Sequence, residues 1–340
     1  MNMYSFLDKV YLDSAATALK DSKIMEIYLN YQEMYPFNPM SSHPMLADHR
    51  RVLENTRNKI LEYFELNVEE YNIVFTSGST ESLGIILQGM FMSSMGKSKI
   101  VSSLLEHKAV LNNLEYLESV GAIVEFVDND NEGVLDLSHL SQLVDNQCLY
   151  VSLMYINNET GEINDIASIS DICKSKDVPL ICDTTQAIGK HSFKANLLDA
   201  FVGSAHKLGG PFGVGFLVYR KELNPISILK GGGQESTLRP GTHNLPGILT
   251  LAKCLREITP PDPEFKSSVF SDLGLDINKR IGQVGSDFIY AFQVKDIEEF
   301  IMKNSNYIVG RGSACNSGLI QESHVYKNIG LDRNVVRISF

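Results

Sequence analysis

The runs CLYVSLMY (148–155), VPLIC (178–182), LDAFVG (198–203) and VGFLVY (214–219) constrain the fold most. They are short, apolar and rich in β-branched and aromatic residues. Several lack the polar alternation of a strand with one wet face. A parallel sheet covered on both faces has that requirement. Earlier in the chain NIVF (72–75), SKIVSSL (98–104) and AIVEFV (122–127) read as further strands, and ESLGIILQGMF (81–91) and AVLNNLEYLESV (109–120) as helices between them. This succession predicts an α/β fold with a mostly parallel sheet. No internal repeat or low-complexity segment interrupts it.

The composition changes after residue 220. ILKGGGQESTLRPGTHN (228–244) is glycine-rich and polar and predicts an extended surface segment. LPGILTLAKCLREI (245–258) has a helical pattern, and the three prolines of TPPDPEF (259–265) predict a linker. The rest, 266–340, predicts a smaller unit of short strands and helices.

A net charge of −11 argues against a nucleic-acid groove or an anionic membrane surface as the main partner. MNMYSFLDKVYLD has no basic start followed by an apolar stretch, and LGIILQGMFM is too short and interrupted to span a bilayer. The five cysteines are odd in number and show no C-x-x-C spacing, which predicts a reducing cytoplasm rather than disulfides or structural zinc. Cys148, Cys173, Cys182 and Cys254 have apolar neighbours and read as core residues, whereas Cys315 lies in GRGSACNSG, the composition of an exposed loop.

Ligands of open parallel sheets bind beyond the carboxyl ends of the strands. After NIVF comes TSGST and a helix start, where free backbone N–H groups suit an anion. After VPLIC comes Asp183, and after LDAFVG come Ser204, His206 and Lys207. Taken singly, TSGST is equally a helix cap, Asp183 an N-cap or a member of a buried pair, and Lys207 a solvated loop lysine. Together they suit pyridoxal phosphate: hydroxyls and N–H groups for the phosphate, Asp183 for the ring nitrogen, and Lys207 for the aldehyde. The order of SAHKLGGPFGVG excludes a Walker loop, whose lysine ends the glycine run and precedes a hydroxyl residue.

Ten stretches then resemble the cysteine desulfurases, of the class V aminotransferase group of fold-type I pyridoxal-phosphate enzymes. They are YLDSAAT (11–17), NPMSSH (38–43), FTSGSTES (75–82), EHKAV (106–110), NNETG (157–161), CDTTQAIGK (182–190), SAHKLGGPFGVG (204–215), GGGQESTLRPGT (231–242), GRGSACNSG (310–318) and VRISF (336–340). They follow the family's order across nearly the whole chain.

The resemblance implies a seven-stranded, mostly parallel sheet in a large domain over 15–245. A smaller α+β domain would come from 1–14 and 246–340. Lys207 would hold the cofactor and then act as base, with His107 against the ring and able to relay protons. Asp183 would face the ring nitrogen, and Gln186 the ring hydroxyl. Asn158 would lie between that hydroxyl and the substrate carboxylate, and Arg337 would clamp the carboxylate. Ser79, Thr80, Ser204 and His206 would form the phosphate shell. Thr242 would reach the phosphate of a second subunit, implying a homodimer.

The implied reaction converts L-cysteine to L-alanine, with the sulfur passing as a persulfide to Cys315. From there it would reach an acceptor protein serving iron–sulfur cluster, thio-cofactor or tRNA biosynthesis. The nucleophile must be a thiolate, and Arg311 is a candidate to favour that form. Three alternatives remain: a selenocysteine lyase, another C–S lyase that does not use Cys315, and a degenerate subunit that binds a sulfur-transfer partner. The segment 259–309 is shorter than is usual in the family and the sequence stops three residues after Arg337, which predicts an exposed apolar face for a helper protein.

Overall fold

The computed structural model describes residues 5–94, 96–311 and 322–340. Twelve strands occur in them: β1 (Ser5–Phe6), β2 (Lys9–Leu12), β3 (Tyr71–Thr76), β4 (Lys99–Ser103), β5 (Ile123–Val127), β6 (Cys148–Ser152), β7 (Leu180–Asp183), β8 (Ala200–Ser204), β9 (Gly215–Arg220), β10 (Ile289–Gln293), β11 (Tyr307–Val309) and β12 (Val335–Ser339). Seven form one sheet in the order β3-β9-β8-β7-β6-β4-β5. The pairs from β8 through β5 are all parallel, while β9 runs antiparallel to both β3 and β8. Six strands therefore share one direction and only β9 opposes them.

The absence of alternation in the sequence has its cause here. Successive strand residues point to opposite faces, and both faces are buried. Ile73, Val151, Cys182 and Phe201 face one apolar cluster, and their neighbours Val74, Tyr150, Ile181 and Val202 face another. The first cluster packs Phe201 edge-on against Phe64. The second packs the sheet against Leu83 and Ile86 of the helix Ser79–Ser93 and Val110 and Leu114 of the helix Lys108–Ser119. The four cysteines Cys148, Cys173, Cys182 and Cys254 are buried free thiols, as their apolar context implies.

The C-terminal strands form smaller sheets: β10 pairs with β12, and β11 joins β2 from the start of the chain. Single bridges, Asp13 to Ser339 and Gly310 to Arg337, tie these together. Phe270, Tyr290, Phe292 and Phe340 form their core, and Phe340 is only 4% exposed. The stretch read as a linker is partly helical. Asp262 caps a helix over Pro263–Leu273, accepting hydrogen bonds from the Glu264 and Phe265 N–H groups. Its last proline occupies the first helical turn, where the missing N–H is no loss.

Candidate active site

Because six strands share one direction, their carboxyl ends lie along one edge of the sheet. A cavity of about 360 Å³ opens there, within the usual range for small-ligand sites. Ser79, Thr80, His107, Asn158, Asp183, Gln186, Ser204, His206, Lys207 and Arg337 all line it. Thr242 is exposed and does not line it. Cys315 lies outside the described residues.

The turn after β3 supplies the helix N-terminus Ser79–Ser93, with free N–H groups and a positive dipole end toward the cavity. Gly215 lets β9 pass behind it, since a Cβ there would come within 2.5 Å of the Gly78 Cα. Thr185 Oγ donates to Ser79 Oγ at 2.7 Å, binding the turn after β7 to the turn after β3. Asp183 ends β7 and is 9% exposed. Its carboxylate accepts from the Thr185 N–H at 2.9 Å.

His107 follows β4 and caps the helix Lys108–Ser119, its Nδ1 accepting the Ala109 N–H at 3.0 Å. The neutral ring therefore carries its proton on Nε2. Sequence reasoning treats capping and site membership as alternatives, but this histidine does both. His206 pairs through Nδ1 with Thr17 Oγ at 2.7 Å. Burial, then the charges of Lys207, Lys20 and Lys190, lowers its pKa to about 4. It is a neutral hydrogen-bonding group at pH 7.

Lys207 sits in the turn after β8, which Gly209 closes in the left-handed conformation. Its Nζ donates to the carbonyls of Ala15 at 2.6 Å and Ala16 at 2.8 Å. Gln186 Nε2 donates to the same Ala15 carbonyl at 2.9 Å.

Arg337 reaches the cavity from β12 and is 1% exposed. One terminal nitrogen donates to the Asn158 carbonyl and the other to the Asp13 carboxylate, both at 2.7 Å. Its Nε is buried with no hydrogen-bond partner among the described residues. A buried, unanswered donor on a fixed guanidinium is suited to an incoming carboxylate.

Behind the site Glu106 is buried, one oxygen accepting the Met154 N–H and the other without a hydrogen-bond partner among the described residues. Burial, then the nearby Asp183, raises its pKa well above the usual glutamate range. Arg311, a candidate for favouring the Cys315 thiolate, has its guanidinium engaged by Glu298. Sequence reasoning missed Asp13, Thr17 and Thr185. Asp13 and Thr17 stand in YLDSAAT and Thr185 in CDTTQAIGK, but their partners lie 324, 189 and 106 residues away and no local signal names them.

This donor set fits pyridoxal phosphate. Hydroxyls and helix N–H groups would suit its phosphate, a buried carboxylate its ring nitrogen, and a lysine its aldehyde. Among the described residues no cluster suited to a metal ion occurs.

Residues 10–259 match the family Aminotransferase class-V. Cysteine desulfurase IscS of Buchnera aphidicola subsp. Schizaphis graminum is 35% identical, the alignment covering 95% of this chain and 84% of the relative. The enzyme of the same name from Vibrio cholerae serotype O1 (strain M66-2) is 31% identical, covering 97% and 87%. A solved structure described as a NifS-like protein superposes with a TM-score of 0.81 at 28% identity, covering 98% of this chain and 93% of its own. A second, described as SspA in complex with cysteine, gives 0.83 at 25% identity, covering 97% and 98%. By sequence, fold and donor set, the chain belongs to the class-V aminotransferases and, within them, to the pyridoxal-phosphate-dependent cysteine desulfurases.

Proposed function

We propose that Lys207, His107, Asp183, Arg337 and Cys315 divide the work of L-cysteine desulfuration among them. The observation that carries this reading is the meeting of Lys207, Asp183, His107 and Arg337 at one cavity from four different strands. Ser79, Thr80, Ser204 and His206 would hold the cofactor phosphate, Asp183 its ring nitrogen, and Gln186, Asn158 and His107 its ring and hydroxyl. When bound, the cofactor supplies a sink for the electron pair left on the substrate Cα. Arg337 fixes the substrate carboxylate, so the Cα proton is presented to the Lys207 amine. The Ala15 and Ala16 carbonyls then offer the protonated amine a resting place.

The Cys315 thiolate forms a bond to the substrate sulfur as the C–S bond breaks. The electron pair of that bond returns to the carbon skeleton, which takes up a proton and leaves as alanine. The net change is thiol plus cysteine to persulfide plus alanine. An acceptor protein for iron–sulfur cluster, thio-cofactor or tRNA biosynthesis would take the sulfur onward.

The exposed Thr242 supports a homodimer in which it reaches the partner's cofactor phosphate. We take 15–245 as the large domain and 1–14 with 246–340 as the small one; the pairing of β2 with β11 supports assigning the first residues to the latter. The four buried free thiols support a reducing cytoplasm. For a helper protein the burial of Phe340 offers no support, because the helix Pro263–Leu273 already packs on it through Phe265 and Phe270.

The test compares alanine and sulfide release from L-cysteine, with reductant, for wild type, Cys315→Ala and Lys207→Ala. The reading expects release by the wild type only. Release by Cys315→Ala moves the reaction to a lyase that does not use this thiol. Release by Lys207→Ala removes the lysine from its role. A wild type that takes up no pyridoxal phosphate is the degenerate subunit.

A further inference from the structure

Glu81 lines the cavity, and the division of work described above gives it no part. It belongs to the same turn and first helical turn as Ser77, Gly78, Ser79 and Thr80, all of which line the cavity too. Its side chain is 20% exposed, and one carboxylate oxygen accepts the Ser77 N–H. The turn that suits an anion therefore has an anion of its own, seated on one of its own backbone donors. A carboxylate in a first helical turn is good for the helix, but it repels a ligand of the same sign.

The other oxygen accepts from Arg239 Nε at 3.0 Å. Arg239 stands 158 residues further on, in the glycine-rich segment 228–244. The preceding Leu238 is buried in the apolar cluster beneath the sheet, which fixes where the arginine starts. Among the described residues Arg239 is the one cation bonded to Glu81. Of the other charged groups at the cavity, Lys207 rests on the Ala15 and Ala16 carbonyls and Arg337 on Asp13 and the Asn158 carbonyl. Burial alone would raise the Glu81 pKa. The Ser77 N–H and then Arg239 outweigh it and hold it below 4.5, so the carboxylate is charged at neutral pH.

We propose that Arg239 is a positioning residue that acts through Glu81: it neutralises this carboxylate and holds it aside, so that the turn after β3 accepts the phosphate group of the cofactor. This rests on the placing of the phosphate at Ser79 and Thr80 above. An ion pair this close to solvent adds little to stability. Its effect on charge at the cavity is larger, because a phosphate bound at this turn would lie within a few residues of the Glu81 side chain, in partly buried surroundings where screening by water is weak. A planar guanidinium suits the task, since it keeps its charge at every working pH.

The test uses the full chain freed of cofactor, as wild type, Arg239→Gln, Glu81→Gln and the double variant. Equilibrium dialysis measures the affinity for pyridoxal phosphate and for pyridoxal, which lacks the phosphate. Arg239→Gln should weaken pyridoxal phosphate about tenfold and leave pyridoxal unchanged. Glu81→Gln keeps an oxygen for the Ser77 N–H but no charge, and should tighten pyridoxal phosphate about threefold. The double variant, which has neither charge, should return to within about threefold of wild type. If Arg239→Gln weakens both ligands equally, or neither, the inference is overturned. If Glu81→Gln weakens pyridoxal phosphate, the pair is a tether for the segment bearing Thr242 and not a matter of charge, and the inference is likewise lost. Ser79→Ala with Thr80→Val checks the placing of the phosphate itself. Should that variant keep the wild-type preference for pyridoxal phosphate over pyridoxal, the phosphate lies elsewhere and both readings fail. Should it lose the preference while Arg239→Gln keeps it, only the inference falls.

Discussion

At the scale of single residues, this site depends on groups that are fully buried and only partly answered. Glu106 is the clearest case. Its folded pKa lies well above the ordinary 4.5, so the folded protein keeps a proton that the unfolded chain releases. Its contribution to stability is therefore present below about pH 4.5 and is lost as pH rises toward the raised value. Glu106→Gln carries no such proton but keeps an oxygen for the Met154 N–H. Relative to this variant, wild type should lose stability by up to about 1.4 kcal/mol per pH unit across that window, as urea unfolding at several pH values would register. A variant running parallel to wild type would mean that Glu106 is ionised in the folded state. Asp183, Ser204, His206 and Lys207 stood out in the sequence because they end or follow a strand with unusual chemistry for that place, whereas His107 and Arg337, the latter inside β12, were named by the family resemblance alone. The partners that orient them were not legible, because Asp13 and Arg337 stand 324 residues apart and meet only in the folded protein.

At the scale of elements, the strands were legible wherever both faces are buried, as in VPLIC and LDAFVG. The direction of β9 was not, because an apolar run reads the same either way and its antiparallel partners lie in tertiary structure. The glycine-rich segment 228–244 was read as extended, but it is held down at its middle. Glu235, Ser236 and Thr237 have φ of 50°, 53° and 71°, a left-handed conformation uncommon for non-glycine residues. The buried Glu235 carboxylate compensates for that strain by binding Arg57, His243 and the Phe75 N–H. The pKa of Glu235 is held below its usual value by His243 and Arg57, which outweigh the larger, opposing effect of burial. Glu235→Ala should cost about 3–5 kcal/mol, because it leaves the largely buried Arg57 with only the exposed Glu54 as counter-charge and His243 without its partner. Chemical denaturation would measure it, and a loss under about 1 kcal/mol would show that the pair contributes little.

At the scale of the whole molecule, the large sheet and its turns bring Asp183, Ser204 and Lys207 to the cavity, and β12 brings Arg337. The join is close-packed at Gly310, where a Cβ would come within 2.6 Å of the Asp13 carboxylate and 2.9 Å of Arg337 Nε. The same residue exchanges both backbone hydrogen bonds with Arg337, at 2.9 Å each. Gly310→Ala should raise KM for L-cysteine about tenfold, equivalent to about 1.4 kcal/mol, while cofactor absorbance stays unchanged. A lower kcat at constant KM would place the effect elsewhere.

The pairing of Asp13 with Arg337 also fixes an order in time. Lys207 is synthesised 130 residues before Arg337. At about 5–20 residues per second, a growing chain carries its lysine for roughly ten seconds before the arginine exists. The Asp13 carboxylate waits for a partner made 324 residues later. The emerging protein can assemble its large sheet early, but the Asp13–Arg337 pair that completes the cavity forms only after Arg337 has been made.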